Sequence, residues 1–340
     1  MTPAPARETT AVRSTGAYPV LRAAARALAR VVPVAVGVVL AVFFLLRLVP
    51  GDPARMILGE RATPESVAAL RTRLGLDLPL PQQFADFAVR LLTHGDTGDS
   101  LVYGTSTRAL ILERAPVSLG IVALAVAVSV LVAVPLAVTA ARHRDGIVDH
   151  LVRVIPTIGL GMPLFWVGLL LIIVFAVTLR WFPVGGIGTT PLDPLRSLVL
   201  PAVAVSFGLV PPLVRSLRAQ LLEVMSADFV TTLTAAGLSE RRVTYGHVLR
   251  NAALPTLTLL SVYVASLIGG TLVVEKVFGI NGLGSLLFNA IGNRDFPVVQ
   301  GIALYCAVLV VVVSLVVDVL VAWIDPRTRR GASGSTGRSW

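Results

Sequence analysis

Few side chains in this sequence could do covalent chemistry, and their spacing withholds it. Among 29 basic residues only Lys276 is a lysine, and it stands in Val274-Glu275-Lys276-Val277. A phosphate-binding loop ends in Gly-Lys-Ser/Thr so that backbone amides and the ammonium group meet the phosphates; nucleotide hydrolysis has no such site here. The four histidines, His94, His143, His150 and His247, have no acidic or cysteine partner at ligand spacing, which argues against a metal centre. Cys306 lies in an apolar run and reads as a small packing residue. Neither a Gly-x-Ser-x-Gly elbow nor a Ser/His/Asp constellation is present, so a membrane-bound enzyme lacks its catalytic groups.

What remains is a scaffold, and its composition says where it lives. Of 340 residues, 55% are hydrophobic and only 14% charged, and the mean hydropathy is +0.82. Soluble chains carry roughly 25% charged residues. A helix needs about 20 apolar residues to cross a hydrocarbon core of ~30 Å. Six stretches meet that length: 31–50, 117–140, 151–179, 197–217, 256–274 and 301–323. The fold class is thus all-α and polytopic, with six transmembrane helices. The first stretch is too long for a signal-peptide core and lacks a small-x-small cleavage site after it.

Charge sets the orientation. Basic residues cluster in the tail before the first span (Arg7, Arg13, Arg22, Arg26, Arg30), between spans two and three (Arg142, Arg144), in 218–255 (Arg241, Arg242, Arg250) and after the sixth span (Arg327, Arg329, Arg330, Arg338). An even number of spans puts all four on one side, and the positive-inside rule makes that side the cytoplasm. The +10 net charge then reports topology and contact with anionic lipid. No nucleic acid is implied, because basic and aromatic residues are not interleaved. The domain reading is a basic tail 1–30, a first span 31–50, an extracytoplasmic loop 51–116, a membrane core 114–323 and a tail 324–340. The long loop holds seven arginines and eight acidic residues, a balance that suits a folded cap.

One cytoplasmic stretch, 223–255, is patterned beyond what a connection needs. Ser226 suits a helix N-cap, Asp228 the first turn, and Gly237 a left-handed stop. Phe229, Leu233 and Ala236 fall on one stripe. Ser239 suits the cap of a second helix that ends toward Asn251 and Pro255. A helix, a glycine turn and a helix on the positive side form a peg for a partner's groove.

That peg, followed by Leu254-Pro255, resembles the EAA loop of ABC-importer permeases, in the longer form of the dipeptide, oligopeptide and nickel branch. The resemblance continues in Leu48-Val49-Pro50-Gly51-Asp52-Pro53, Leu74-Gly75-Leu76-Asp77-Leu78-Pro79-Leu80, Gly95-Asp96-Thr97-Gly98 with Ser100, and Ile111-Leu112-Glu113-Arg114-Ala115-Pro116. Val274-Glu275-Lys276-Val277-Phe278, Gly282-Leu283-Gly284, Arg294-Asp295-Phe296-Pro297-Val298 and Asp325-Pro326-Arg327 extend it over about 18–330. Two departures stand out. The residues before Gly237 (Thr231, Thr232, Leu233, Thr234, Ala235, Ala236) are neutral where the family is commonly basic, and Asn281 stands where proline often precedes Gly-Leu-Gly.

The resemblance implies the type I ABC importer permease fold and the role of a first permease subunit in a bacterial cell membrane. It implies a second homologous permease, two ABC ATPase subunits and an extracytoplasmic substrate-binding protein as partners, with ATP and Mg2+ on the ATPases and no cofactor in this chain. Coupling to the ATPase would fall to Leu233, Ala235, Ala236, Gly237, Leu238, Ser239, Arg241 and Arg242. Pro156, Pro163, Pro201, Pro211 and Pro212 interrupt spans three and four. Thr157, Met162, Ser206 and Tyr263 are the candidate path-lining groups. Peptide is the substrate class expected first, with nickel or another small solute as the alternative. An ion-gradient-driven carrier is the competing class; the mid-span regions offer it no Asp, Glu, Lys or His.

Overall fold

The computed structural model describes residues 32–44, 52–59, 62–188 and 193–324. Among these residues everything regular is helical; the one β-type pairing is an isolated bridge between Asp99 and Ser106. Residues 1–31, 45–51, 60–61, 189–192 and 325–340 lie outside the described residues, and with them the expected N-terminal tail, all but the first residue of the C-terminal one, and the motif residues 48–51 and 325–327.

Helix α1 (Val32–Phe44) is about 20 Å of the first expected span. It is tied down by the Gln300 side-chain amide, which donates to the Val42 carbonyl at 2.8 Å, and by Phe43 packed edge-on against Phe84. Three helices follow: α2 (Pro53–Leu58), α3 (Pro64–Arg73) and α4 (Leu80–His94). Each has proline in its first turn, where the missing N–H is harmless. Thr63 and Ser66 form a reciprocal capping box on α3.

Helix α5 (Thr107–Arg142) has 36 residues, about 54 Å at helical rise, so it begins well before the 117 expected from hydropathy. Its buried face runs Ala115, Ser118, Val122, Ala125, Ser129, Ala133, Ala137 and Ala141 at i+3 and i+4 spacing. Small residues let backbones approach in the absence of a hydrophobic drive between helices. The partner is α8 (Asp193–Met225), and this is the most extensive pairing in the molecule.

The expected third span, 151–179, is not one rod. Helix α6 (Ile147–Leu160) and helix α7 (Leu164–Leu171) meet at 101°. Pro163 disfavours helical geometry at Met162 and lacks an N–H of its own. Beyond α7 the chain winds on as a π-helical turn, Ile172–Thr178. By contrast Pro201, Pro211 and Pro212 do not interrupt α8, which passes through all three; packed membrane helices satisfy the freed carbonyls in other ways. Pro255 likewise ends nothing. Helix α9 (Asp228–Ala235) and the short α10 (Glu240–Arg242) lead through a second π-helical turn (Val243–Val248) into α11 (Leu249–Val277), which contains Pro255. The two parts of that run, Glu240–Val264 and Gly269–Val277, are bent by 61°. Helices α12 (Leu283–Gly292) and α13 (Phe296–Ile324) complete the order.

Among the described residues three helices, α5, α8 and α13, are long and apolar enough to cross a membrane, and the two bent pairs raise that to as many as five if each is one span. A buried cluster from α5, α6, α7, α8 and α11 forms the centre of the bundle. A second cluster joins α5 to α12 and α13. The third gathers the ends of α5 and α8 with the start of α11, and the peg sits on it.

Candidate coupling site

The turn that shapes the peg depends on Gly237, whose φ of 82° lies in the left-handed region. Its N–H donates to the Thr234 carbonyl at 3.0 Å, and the Leu238 N–H reaches the Leu233 carbonyl at 3.2 Å. Ser226 is not the N-cap. Helix α8 runs to Met225, the Ser226 hydroxyl turns back to the Glu223 carbonyl at 2.7 Å, and Ala227 takes the cap position without a side-chain bond. Ser239 does hold the cap position of α10, in extended conformation, but its hydroxyl makes no capping bond.

Side chains of the peg divide into two sets. Val230, Leu233 and Leu238 pack down on Ala137, Val138, Leu217, Leu221, Val243 and Val248. Phe229, Ala235, Ala236, Arg241 and Arg242 are exposed. The stripe expected through Phe229, Leu233 and Ala236 is therefore split. On a helix Leu233 neighbours both Phe229 at i−4 and Val230 at i−3, and the core takes the row of Val230. Tyr245, on the π-helical turn, is a further exposed aromatic that hydropathy alone did not mark, although an aromatic in a polar loop is itself a signal.

Two ion pairs brace this unit. Arg142 at the end of α5 meets Glu240 of α10 at 2.6 Å, with Glu240 71% exposed; exposed pairs contribute about 0–1 kcal/mol. Asp149 of α6 is different. It is 0% exposed, and Arg218 of α8 donates to its two oxygens from Nε and Nη2, each at 2.5 Å. The Asp145 N–H adds a bond at 3.2 Å and Arg153 lies at 3.5 Å. Removing one member of such a buried pair costs about 3–5 kcal/mol, because the other is left uncompensated. Sequence reasoning missed Asp149. Its only local clue is Arg153 at i+4, and its main partner is 69 positions away.

The four path candidates do not form one polar lining. Thr157 is exposed on α6 and its hydroxyl donates to the Arg153 carbonyl at 2.6 Å. Ser206 is buried and donates to the Val203 carbonyl at 2.7 Å. Met162 and Tyr263 are half-buried against the same central cluster. A Cβ on Gly159 would stand 3.7 Å from Phe207 and one on Gly270 3.8 Å from Leu164, whereas Gly269 faces open space. Gly159 and Gly270 therefore sit at helix contacts, where a small residue permits close approach.

At the opposite end of the bundle the short motifs prove to be parts of common devices. Glu275, 0% exposed, accepts the Ser118 hydroxyl at 2.6 Å and the Ser285 N–H at 3.1 Å. Ser118 in turn accepts the Leu283 N–H at 2.8 Å. The carboxylate thus caps the N-terminus of α12, where amides are unpaired and the helix dipole favours negative charge. Gly282 and Gly284 follow from it: a Cβ on Gly282 would fall 2.5 Å from the carboxyl, and one on Gly284 would strike the Leu272 backbone.

Asp295 accepts the Ser100 hydroxyl and the Leu101 N–H, the latter at 3.2 Å. The Thr97 hydroxyl donates to the Pro297 carbonyl at 2.8 Å. Asp96 accepts the Ser106 and Thr107 hydroxyls and the Gly98 N–H. Burial pushes its carboxyl up, but these donors, with Arg90 nearby, outweigh it and hold the group below its ordinary range. Among the described residues no three His, Cys, Asp or Glu side chains are grouped as metal ligands.

Comparison with known proteins addresses the whole chain. Residues 133–330 match the family described as "Binding-protein-dependent transport system inner membrane component", and residues 20–120 match the N-terminal model of the same kind of membrane component. A permease protein of Brucella abortus (strain 2308) is 39% identical, covering 88% of this chain and 96% of its own length. The di/tripeptide transport system permease protein DppB of Pseudomonas aeruginosa (strain UCBPP-PA14) is 37% identical over 90% of this chain and 98% of its own. The oligopeptide transport system permease protein AppB of Bacillus subtilis (strain 168) is 33% identical over 87% and 95%. The inward-facing MetNI methionine ABC transporter gives a TM-score of 0.54 at 16% identity, covering 64% of this chain and 96% of that one; the likeness carries the type I importer permease fold. Motifs, fold and relatives agree, and the chain belongs to the family of binding-protein-dependent transport system inner membrane components.

Proposed function

We propose that this chain is a permease subunit of an ATP-driven peptide importer. The observation that carries the substrate class is near-full-length similarity to permeases whose names specify di/tripeptides and oligopeptides. Nickel and ion-gradient transport find no support among these relatives. A second permease completes the path, a binding protein delivers substrate from outside, and two ATPase subunits supply the nucleotide chemistry for which this chain has no phosphate loop.

In this reading the peg enters a cleft of the ATPase. Its tip, Ala235-Ala236-Gly237, is neutral and exposed, and the elements on either side of it in the chain carry the exposed aromatics Phe229 and Tyr245. Apolar contact then holds it, with Arg241 and Arg242 at the rim. Substrate uptake by cells expressing this chain with its binding protein, second permease and ATPases tests the function. Labelled di-, tri- or longer peptides enter in an ATP-dependent way; uptake of nickel alone would refute the peptide reading.

Cytoplasmic termini and an outward 51–116 segment complete the proposal. Asp99, with its side chain 62% exposed, offers the check: an Asp99→Cys variant reacts with an impermeant thiol reagent on intact cells. Reaction only after permeabilisation would invert the topology.

A further inference from the structure

The peg is held from both sides, and the two holds converge. Helix α8 enters the peg, and its Arg218 grips Asp149. Helix α10 leaves the peg, and its Glu240 meets Arg142. Arg142 is the last residue of α5, and Asp149 lies in the first turn of α6. Both ion pairs therefore end at the two flanks of one short turn, 143–146, that joins α5 to α6. That turn is itself shaped by the same carboxylate: Asp145 adopts a φ of 60° and its N–H donates to Asp149. Helix α6 then runs from Asp149 to the sharp break before α7, where Met162 packs against the central cluster.

Burial separates the two holds. Glu240 is exposed and its side chain exchanges readily with water, so it guides rather than clamps. Asp149 has no exposure, and two parallel N–H···O bonds fix the orientation of α6 against α8 as well as their separation. With Arg218 itself only 15% exposed, the bidentate pair behaves as a rigid joint. Displacement of the peg by its partner moves α8 and, through this joint, the start of α6, with the bend at Met162-Pro163 as the hinge.

We propose that Asp149, clasped by Arg218, is a positioning residue that transmits movement of the peg to α6 and hence to the bent third span. The proposal rests on the coupling reading given above. It assigns the work to a residue outside the peg.

The test uses the assembled transporter, with its second permease, ATPases and binding protein, reconstituted in lipid vesicles. The double variant Asp149→Asn/Arg218→Gln removes both charges together, so no buried ion is left unpaired. Assembly is measured by co-purification of the ATPases, and coupling as ATP hydrolysed per peptide imported. The expected result is normal assembly with a ratio raised at least about fivefold, the low end of ordinary coupling between sites. A ratio equal to that of the parent would overturn the proposal. If the double variant does not assemble, Arg218→Lys decides: it keeps the charge and loses the bidentate fork, so an intermediate rise supports the joint and an unchanged ratio overturns it. Glu240→Gln is the comparison, and its ratio stays close to that of the parent. A rise as large as that of the double variant would move the linkage to the exposed pair and overturn the assignment to Asp149. Parent transporter that imports no peptide at all would instead refute the function proposed above, so the two failures are distinct.

Discussion

Replacing Gly237 with valine leaves the transporter assembled and hydrolysing ATP while peptide import falls by about 5–30-fold. The cause is backbone strain, since a Cβ at this position meets nothing within 4 Å. A φ of 82° costs an ordinary L-residue roughly 1–2 kcal/mol, and a β-branched one more; one or two kcal/mol is a factor of about 5–30 in population. The strain relaxes by opening the turn, which releases the Gly237 and Leu238 N–H bonds to Thr234 and Leu233. Because Gly237 is exposed, the bundle beneath keeps its packing and only the shape of the tip changes. Gly237→Asn is the informative companion, since asparagine tolerates the left-handed region and retains import. ATP used per peptide imported, measured for both variants in vesicles, decides the matter. Unchanged coupling in the valine variant would remove Gly237 from the coupling surface.

A large loss of stability is expected at Glu275. Alanine there strands the Ser118 hydroxyl and the Ser285 amide, both now bonded to the carboxylate inside the protein. An unsatisfied buried donor costs roughly 1–3 kcal/mol, so the sum is several kcal/mol against a total of about 5–15 kcal/mol for a folded domain. In detergent the unfolding midpoint of Glu275→Ala falls by about 10 °C or more. A second substitution tests the geometry behind this number. Gly282→Ala places its methyl on the carboxyl and destabilises the parent, but it is tolerated once residue 275 is alanine. Additive losses in this cycle would mean that carboxylate and glycine do not share the space.

How much of this was readable beforehand depended on the distance between partners. Spans two, four and six were legible because an apolar run long enough to cross a bilayer has few other uses. Gly237 was legible because a left-handed helix stop favours one residue type. Pro163 was marked, but the 101° bend it accompanies was not, since a proline permits a break without fixing its angle. Pro255 misled for the same reason: the apolar run after it allowed α11 to continue. Leu233 looked like part of an outward stripe until the position of α5 and α8 turned it inward.

The carboxylates were the least legible. Glu275 reaches Ser118 across 157 positions and Asp295 reaches Ser100 across 195. Quoted as separate motifs, Val274-Glu275-Lys276 and Gly282-Leu283-Gly284 gave no hint that the second has glycines to make room for the first.

The π-helical turn Val243–Val248 between α10 and α11 sets the phase of the peg. Such a turn accommodates one residue more than the α-helix on either side of it. Deleting that surplus residue would straighten the run, rotate α10 and the tip about the axis of α11 by roughly 100° and draw them about 1.5 Å along it. The face offered to a partner is thus written in chain length as well as in residue type. A permease with every side chain of the peg conserved but one residue fewer here would present a different key.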